Sequence, residues 1–158
     1  MKPGEPSVKI AFPLDSQEWH GHSQERLWAT PIENGTFVLD NSPFYADGVS
    51  YLDTVSAHWD GGQLVFAEVI QRGGHSTYRI RLPPDKAHGY FLELWAPFEK
   101  LECTYEGSSG TQRLYAIDIP RGSLVRSVYD LLQALEDAEV IEFDEGHYCP
   151  PAAEDASR

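Results

Sequence analysis

Cysteine is nearly absent from this sequence: Cys103 and Cys149 stand alone among 158 residues. Their spacing fits no zinc motif, and they read as reduced thiols of a cytosolic protein, with a Cys103–Cys149 disulfide the alternative that sequence leaves open. Basic residues are scarce too. Twelve lysines and arginines face 25 acids, for a net charge of −13. That argues against nucleic-acid and anionic-membrane binding, both of which want a basic face, and it permits a basic protein partner. Long apolar runs are missing, since none nears the roughly 18 residues that cross a bilayer. Met1-Lys2-Pro3-Gly4-Glu5-Pro6 has neither the apolar centre nor the cleavage site of a signal peptide, so a cytoplasmic location is expected. Familiar catalytic motifs are lacking as well. There is no CxxC pair and no GxSxG elbow, and Gly107-Ser108-Ser109-Gly110 has neither the lysine nor the following helix of a phosphate-binding loop.

What is present is enough apolar material for a core, 41% hydrophobic and 12% aromatic. The acids are unevenly spread. Glu136, Asp137, Glu139, Glu142, Asp144, Glu145, Glu154 and Asp155 crowd the C-terminal end, opposed there by Arg158 alone. Such a block is either a solvated edge or a surface that recognises a basic partner.

The first half reads as short strands between turn signals. Val8–Phe12 opens, Asp15–Gln24 is a polar loop, and Asn34-Gly35 joins the runs Arg26–Ile32 and Thr36–Leu39 as a hairpin. Asp60-Gly61-Gly62 joins Leu52–Trp59 to Gln63–Gln71 in the same way. Short antiparallel strands of this kind curl into a small barrel, with Trp28, Phe44, Tyr45, Tyr51 and Trp59 expected to fill it. The second half changes rhythm. Strand Thr77–Leu82 precedes a helix capped by Asp85 and ended or kinked by Pro97, then come strands Leu101–Tyr105 and Arg113–Ile119. A helix capped by Ser123, with Leu124, Val128, Leu131, Leu132 and Leu135 on one face, leads to the strand Val140–Phe143. The fold class is therefore α+β: a small antiparallel barrel-like module over residues 7–74, packed on a ferredoxin-like β-α-β-β-α-β module over 75–148, with loose tails at 1–6 and 149–158.

Several segments together resemble a bacterial domain-of-unknown-function family, number 4265. They are Glu25-Arg26-Leu27-Trp28-Ala29, Asp40-Asn41-Ser42-Pro43-Phe44-Tyr45-Ala46, Val49-Ser50-Tyr51-Leu52-Asp53-Thr54-Val55 and Gly74-His75-Ser76-Thr77-Tyr78-Arg79. The turn Tyr105-Glu106-Gly107 with Tyr115-Ala116-Ile117-Asp118 completes the set, and the likeness runs from about Val8 to His147. Leu52 departs from it, standing where the resemblance implies a glycine ahead of the aspartate. The resemblance implies boundaries and no activity.

The densest polar cluster is Arg72-Gly73-Gly74-His75-Ser76-Thr77-Tyr78-Arg79. The glycines allow close approach of a ligand, His75 could act as a base, Ser76 or Tyr78 could supply a hydroxyl, and Arg72, Arg79 and Arg81 could hold an anion. The competing account is a tight turn whose arginines neutralise neighbouring acids. His75 and Ser76 would not form a catalytic pair, because adjacent strand residues face opposite ways. His20-Gly21-His22 hints at a metal site that His58, His75 or His147 would have to complete, but it falls short of a structural zinc motif, so neither metal nor cofactor is expected.

Two functions compete. The first is a protein-binding regulator of the inhibitor or immunity type, docking a basic partner through Glu136, Asp137, Glu139, Glu142, Asp144 and Glu145. The second is a small-molecule binder or enzyme built on Arg72, His75, Ser76, Tyr78 and Arg79, with Trp28 and Tyr45 lining its pocket. The first is preferred, and an enzyme is not favoured. An edge strand in the second half also leaves room for a homodimer.

Overall fold

The computed structural model describes residues 6–108 and 113–151. Ser109 and Gly110 of the expected hairpin turn, and Glu154, Asp155 and Arg158 of the acidic end, lie outside the described residues. The first half is a closed ring of five strands: β1 (Val8–Pro13), β2 (Gln24–Glu33), β3 (Thr36–Leu39), β4 (Thr54–Asp60) and β5 (Gln63–Gln71). Asn34 and Gly35 both take positive φ, 46° and 76°, as a type I′ hairpin turn demands. Successive strands are antiparallel, but β1 meets β5 in parallel, through Ile10–Leu64 and Ala11–Val65. An odd number of strands that reverse at every turn can close only in this way.

The interior of this ring is lined mainly by aliphatic side chains. Ile10, Phe12, Leu27, Ala29, Phe37, Leu39, Val55 and Leu64 fill it. The expected aromatic core is corrected here: Trp28 is 45% exposed and Trp59 72% exposed, while Phe44, Tyr45 and Tyr51 are half-buried in the loop between β3 and β4. Two constraints explain this. Five strands enclose a narrower space than the eight that just hold a filling of side chains. Since Leu27 and Ala29 point inward, Trp28 between them must point out.

The second half runs β6 (Ser76–Arg81), α1 (His88–Lys100), β7 (Thr104–Gly107), β8 (Leu114–Ile119), α2 (Val125–Asp137) and β9 (Glu142–His147). Its sheet has the order β7-β8-β6-β9 with every neighbouring pair antiparallel. Tyr78 and Ile80 of β6 and Tyr115, Ile117 and Ile119 of β8 turn one face toward Phe91, Trp95 and Phe98 of α1 and Val128 and Leu132 of α2. The other face carries Thr77, Arg79 and Asp118. Two terminal readings change. α1 starts behind Ala87 with no side-chain cap, and Asp85 instead pairs with Lys86; α2 follows a 3-10 turn, Gly122–Leu124, in which Ser123 caps nothing. Pro97 sits inside α1, which continues to Lys100 because buried Trp95 and Phe98 anchor the last turn. At the outer edge of β9, Glu136 takes the Phe143 N–H and Gly48 donates to the Gly146 carbonyl, occupying groups that pairing with a second copy would use. No described helix is long and apolar enough to cross a membrane.

Leu52 adopts φ 69°, the left-handed region that glycine enters freely. It must stay there, because Asp53 is anchored and a Cβ on Gly73 would lie 2.4 Å from the Leu52 carbonyl oxygen. Leu52 is also 37% exposed, so its side chain contributes little burial. Leu52→Gly is therefore expected to stabilise the protein by about 1 kcal/mol, read as a rise in the denaturation midpoint.

Candidate functional site

The polar residues singled out in the sequence lie where the ring meets the sheet, and they form a seam. The loop between β3 and β4 supplies one side of it. Glu25 on β2 holds this loop by accepting the N–H groups of Phe44, Tyr45 and Ala46 at 2.7, 3.0 and 2.8 Å. Glu106 on β7 accepts the Asn41 side-chain amide at 3.1 Å and the Ser42 N–H at 2.6 Å. Asp53, fully buried, accepts the Ser50 and Gly73 N–H groups, each at 2.9 Å, and Arg72 at 3.0 Å.

Arg79 crosses the seam. It is 2% exposed, and its guanidinium donates to the Ala46 carbonyl at 3.0 Å, to Asp47 at 2.6 Å and to Asp144 at 3.1 Å. Glycine stands at position 146 because a Cβ there would lie 2.9 Å from an Arg79 nitrogen. Nearby, the Ser50 hydroxyl meets Thr77 Oγ1 at 2.7 Å and His147 Nδ1 at 2.9 Å. Such a network fixes two surfaces in one register, since each donor left unpaired would cost a desolvation penalty.

Each residue of the cluster thus has a partner in the fold. His75 Nδ1 lies 2.8 Å from both oxygens of Asp118, with the Tyr51 ring edge-on to it. Ser76 Oγ accepts the Cys149 N–H at 2.8 Å. Tyr78 shares the helix-facing side of β6 with Ser76, away from His75, and its hydroxyl donates to Glu145 at 2.7 Å. Trp28 and Tyr45 are turned elsewhere: Trp28 faces outward beneath the Lys9 ammonium, and Tyr45 rests against His20 and His22.

Sequence reasoning missed the Ser50–His147 pair. Its two members are 97 residues apart, and no local pattern joins them. The pair has the reach of a nucleophile and its base, yet Ser50 is fully buried and its hydroxyl is shared with Thr77. Burial, and then the Arg72 charge, hold the His147 imidazole below its ordinary value of 6.5. The neutral form is therefore the one that fits. Because the folded value is depressed, this contribution to stability is complete above pH 6.5 and is lost as pH falls toward the folded value. Stability measured by urea unfolding should drop between pH 7 and pH 5, with a smaller drop in His147→Gln.

Both cysteines are free. Burial, helped by Asp118 and Glu102, pushes the Cys103 thiol up to about 12, and burial raises Cys149 as well, so neither presents a thiolate at neutral pH. The His20 and His22 rings stack with centroids 5.6 Å apart. Among the described residues no group of three or more histidines, cysteines or carboxylates could hold a metal ion.

The acidic edge divides in three. Asp144 turns to the seam and joins Arg79 and Arg81; Glu145 faces a cavity beside α2. Glu136, Asp137, Glu139 and Glu142 remain at the corner where α2 passes into β9. There Glu136, Glu139 and Glu142 rim a groove of about 740 Å³ whose floor is Leu82, Pro83, Pro84 and Ile141, with Arg81 the basic residue at its side. α2 has no basic residue in its last turn. Acids there oppose the negative end of the helix dipole. Glu139 in addition takes φ 61° at a position that favours glycine.

Fold and seam together define an α+β protein in which a five-stranded ring is latched to a helix-covered antiparallel sheet by buried charge. The chain belongs to the family described as Domain of unknown function (DUF4265), whose profile matches residues 25–143. Among solved structures it is similar to a hypothetical protein from Neisseria gonorrhoeae, with a TM-score of 0.76 and 16% identity, over 93% of this chain and 98% of that one. At that identity the likeness speaks for the fold alone. No curated protein matches the chain.

Proposed function

We propose that this protein is a binding module which docks a basic segment of a partner protein in the groove between α2 and β9, as a regulator of the inhibitor or immunity type. The observation that carries the reading is the set of acids at the C-terminal end of α2, placed against the helix dipole and, at Glu139, in a left-handed conformation. Glu136 also accepts the Phe143 N–H and Glu142 pairs with Arg81 at 3.4 Å, so Glu139, whose left-handed conformation lowers stability, is the member that points most directly to a selected surface. The groove suits lysine and arginine side chains in particular: their aliphatic stems would lie on Pro83, Pro84 and Ile141 while their charges meet Glu136, Glu139 and Glu142. Opposite charge would also speed encounter, and salt would weaken it.

The test is affinity capture from host lysate at low and moderate salt, with two variants of equal charge. Glu139→Lys with Glu142→Lys alters the groove, whereas Asp60→Lys with Glu68→Lys alters exposed positions on the ring. A basic protein held by the wild type and the ring variant, shed as salt rises and weakened about ten-fold or more by the groove variant, is the expected result. Equal loss in both variants would reduce the effect to net charge and refute the groove. The antiparallel order β7-β8-β6-β9 supports a ferredoxin-like reading of the second module, and the partner's site would then lie wholly within residues 75–148.

A further inference from the structure

A second cavity, of about 700 Å³, lies beside the first turn of α2, on the face of the sheet away from the seam. We infer that it is a binding site for a planar nitrogen heterocycle with an anionic tail, the chemistry of a nucleoside monophosphate. Its volume is within the range that holds ligands of that size.

Three features define the ligand. At the base, Glu145 is held by Tyr78, whose hydroxyl donates to Oε1 at 2.7 Å, and among the described residues no donor reaches Oε2. The carboxylate is thus oriented with one acceptor available for the N–H edge of a heterocycle. At the sides, Tyr129 and Tyr148 are 39% and 44% exposed and line the cavity, offering aromatic surface on which a flat ring can stack. At the mouth stand Arg126 and Arg121, the second of them held by both oxygens of Glu102 at 3.0 and 2.5 Å, in a chain with a net charge of −13. Arg126 is 86% exposed and makes a loose i,i+4 pair with Asp130 at 3.3 Å, which a phosphate could readily replace. The cavity keeps its shape because the chain after β9 lies directly on α2's approach: a Cβ on Gly122 would fall 2.4 Å from Pro151. A neutral ring would use the base and sides alone, so the three features together select a ring with donors at one end and negative charge at the other.

Calorimetric titration of the full chain with AMP, GMP, CMP and UMP, with the matching nucleosides and with inorganic phosphate, tests this. At least one nucleotide should bind, its nucleoside more weakly, and phosphate alone negligibly. Tyr148→Ala should weaken the nucleotide about ten-fold. Arg126→Ala should weaken the nucleotide and leave the nucleoside unchanged. Glu145→Gln should weaken both, and because Tyr148 and Arg126 are exposed, those two variants keep the test valid even where Glu145→Gln perturbs folding. Absence of binding by all four nucleotides at millimolar concentration would overturn the inference, as would binding that Tyr148→Ala and Arg126→Ala leave intact. The groove variant Glu139→Lys with Glu142→Lys should bind nucleotide like the wild type, so this site and the proposed docking groove stand or fall separately.

Discussion

Arg79→Ala is expected to cost about 3–5 kcal/mol, the range found when one member of a buried ion pair is removed. The mutation strips the Ala46 carbonyl, Asp47 and Asp144 of a shared donor at once. Arg81 would remain on Asp144, 3.1 Å from its other oxygen, and Asp47 is largely exposed, so the greater part of the loss falls on the Ala46 carbonyl and the vacated space around Gly146. Arg79→Lys should recover little, since a single ammonium cannot reproduce a planar fork that serves three acceptors. The check is the urea midpoint at unchanged slope. A loss below about 1 kcal/mol would mean that solvent reaches the seam.

Asp53→Ala is the second large effect, at about 3 kcal/mol. Its carboxylate is fully buried and joins the loop before β4 to the β5–β6 connection through the Ser50 and Gly73 N–H groups. Alanine would leave both backbone donors without an acceptor at a point where Gly73 already lies against the Leu52 backbone. Asp53→Asn keeps an acceptor oxygen but turns an N–H₂ toward existing donors, so it should lie between the wild type and alanine. Equal midpoints for wild type and Asp53→Asn would show that the negative charge itself contributes nothing.

These two residues also show what was legible in the sequence and what was not. Strands and helices declared themselves by local pattern: the Asn34-Gly35 turn, the alternation Leu27-Trp28-Ala29, and the apolar face Val128-Leu132 each require only a few neighbouring residues. The polar cluster was visible too, as glycines and arginines crowded into Arg72–Arg79. Its partners in the fold were not, because a buried seam and a ligand site draw on the same residue types. Those partners are remote: Asp144 is 65 residues from Arg79, and Glu106 is 64 from Ser42. The segments that carry the family resemblance turn out to be the ones that build this junction, from Glu25 through Asn41, Ser42, Ser50 and Asp53 to Thr77 and Arg79. A family signature composed in this way reports how two halves are fastened. The aromatic core failed for a related reason, since strand parity already turned Trp28 outward and residue type alone concealed it. The acidic corner was readable as charge, but its groove depends on Pro83, Pro84 and Ile141, which arrive from two different strand ends.

The most direct test of the seam is native-state hydrogen exchange in rising denaturant, comparing amides of β2 in the ring with amides of β8 in the sheet. If buried charge latches the halves into one unit, both sets should open together at the free energy of global unfolding, and Arg79→Ala should separate them. Two distinct opening energies in the wild-type protein would contradict the account, because the cluster would then not be holding the halves together.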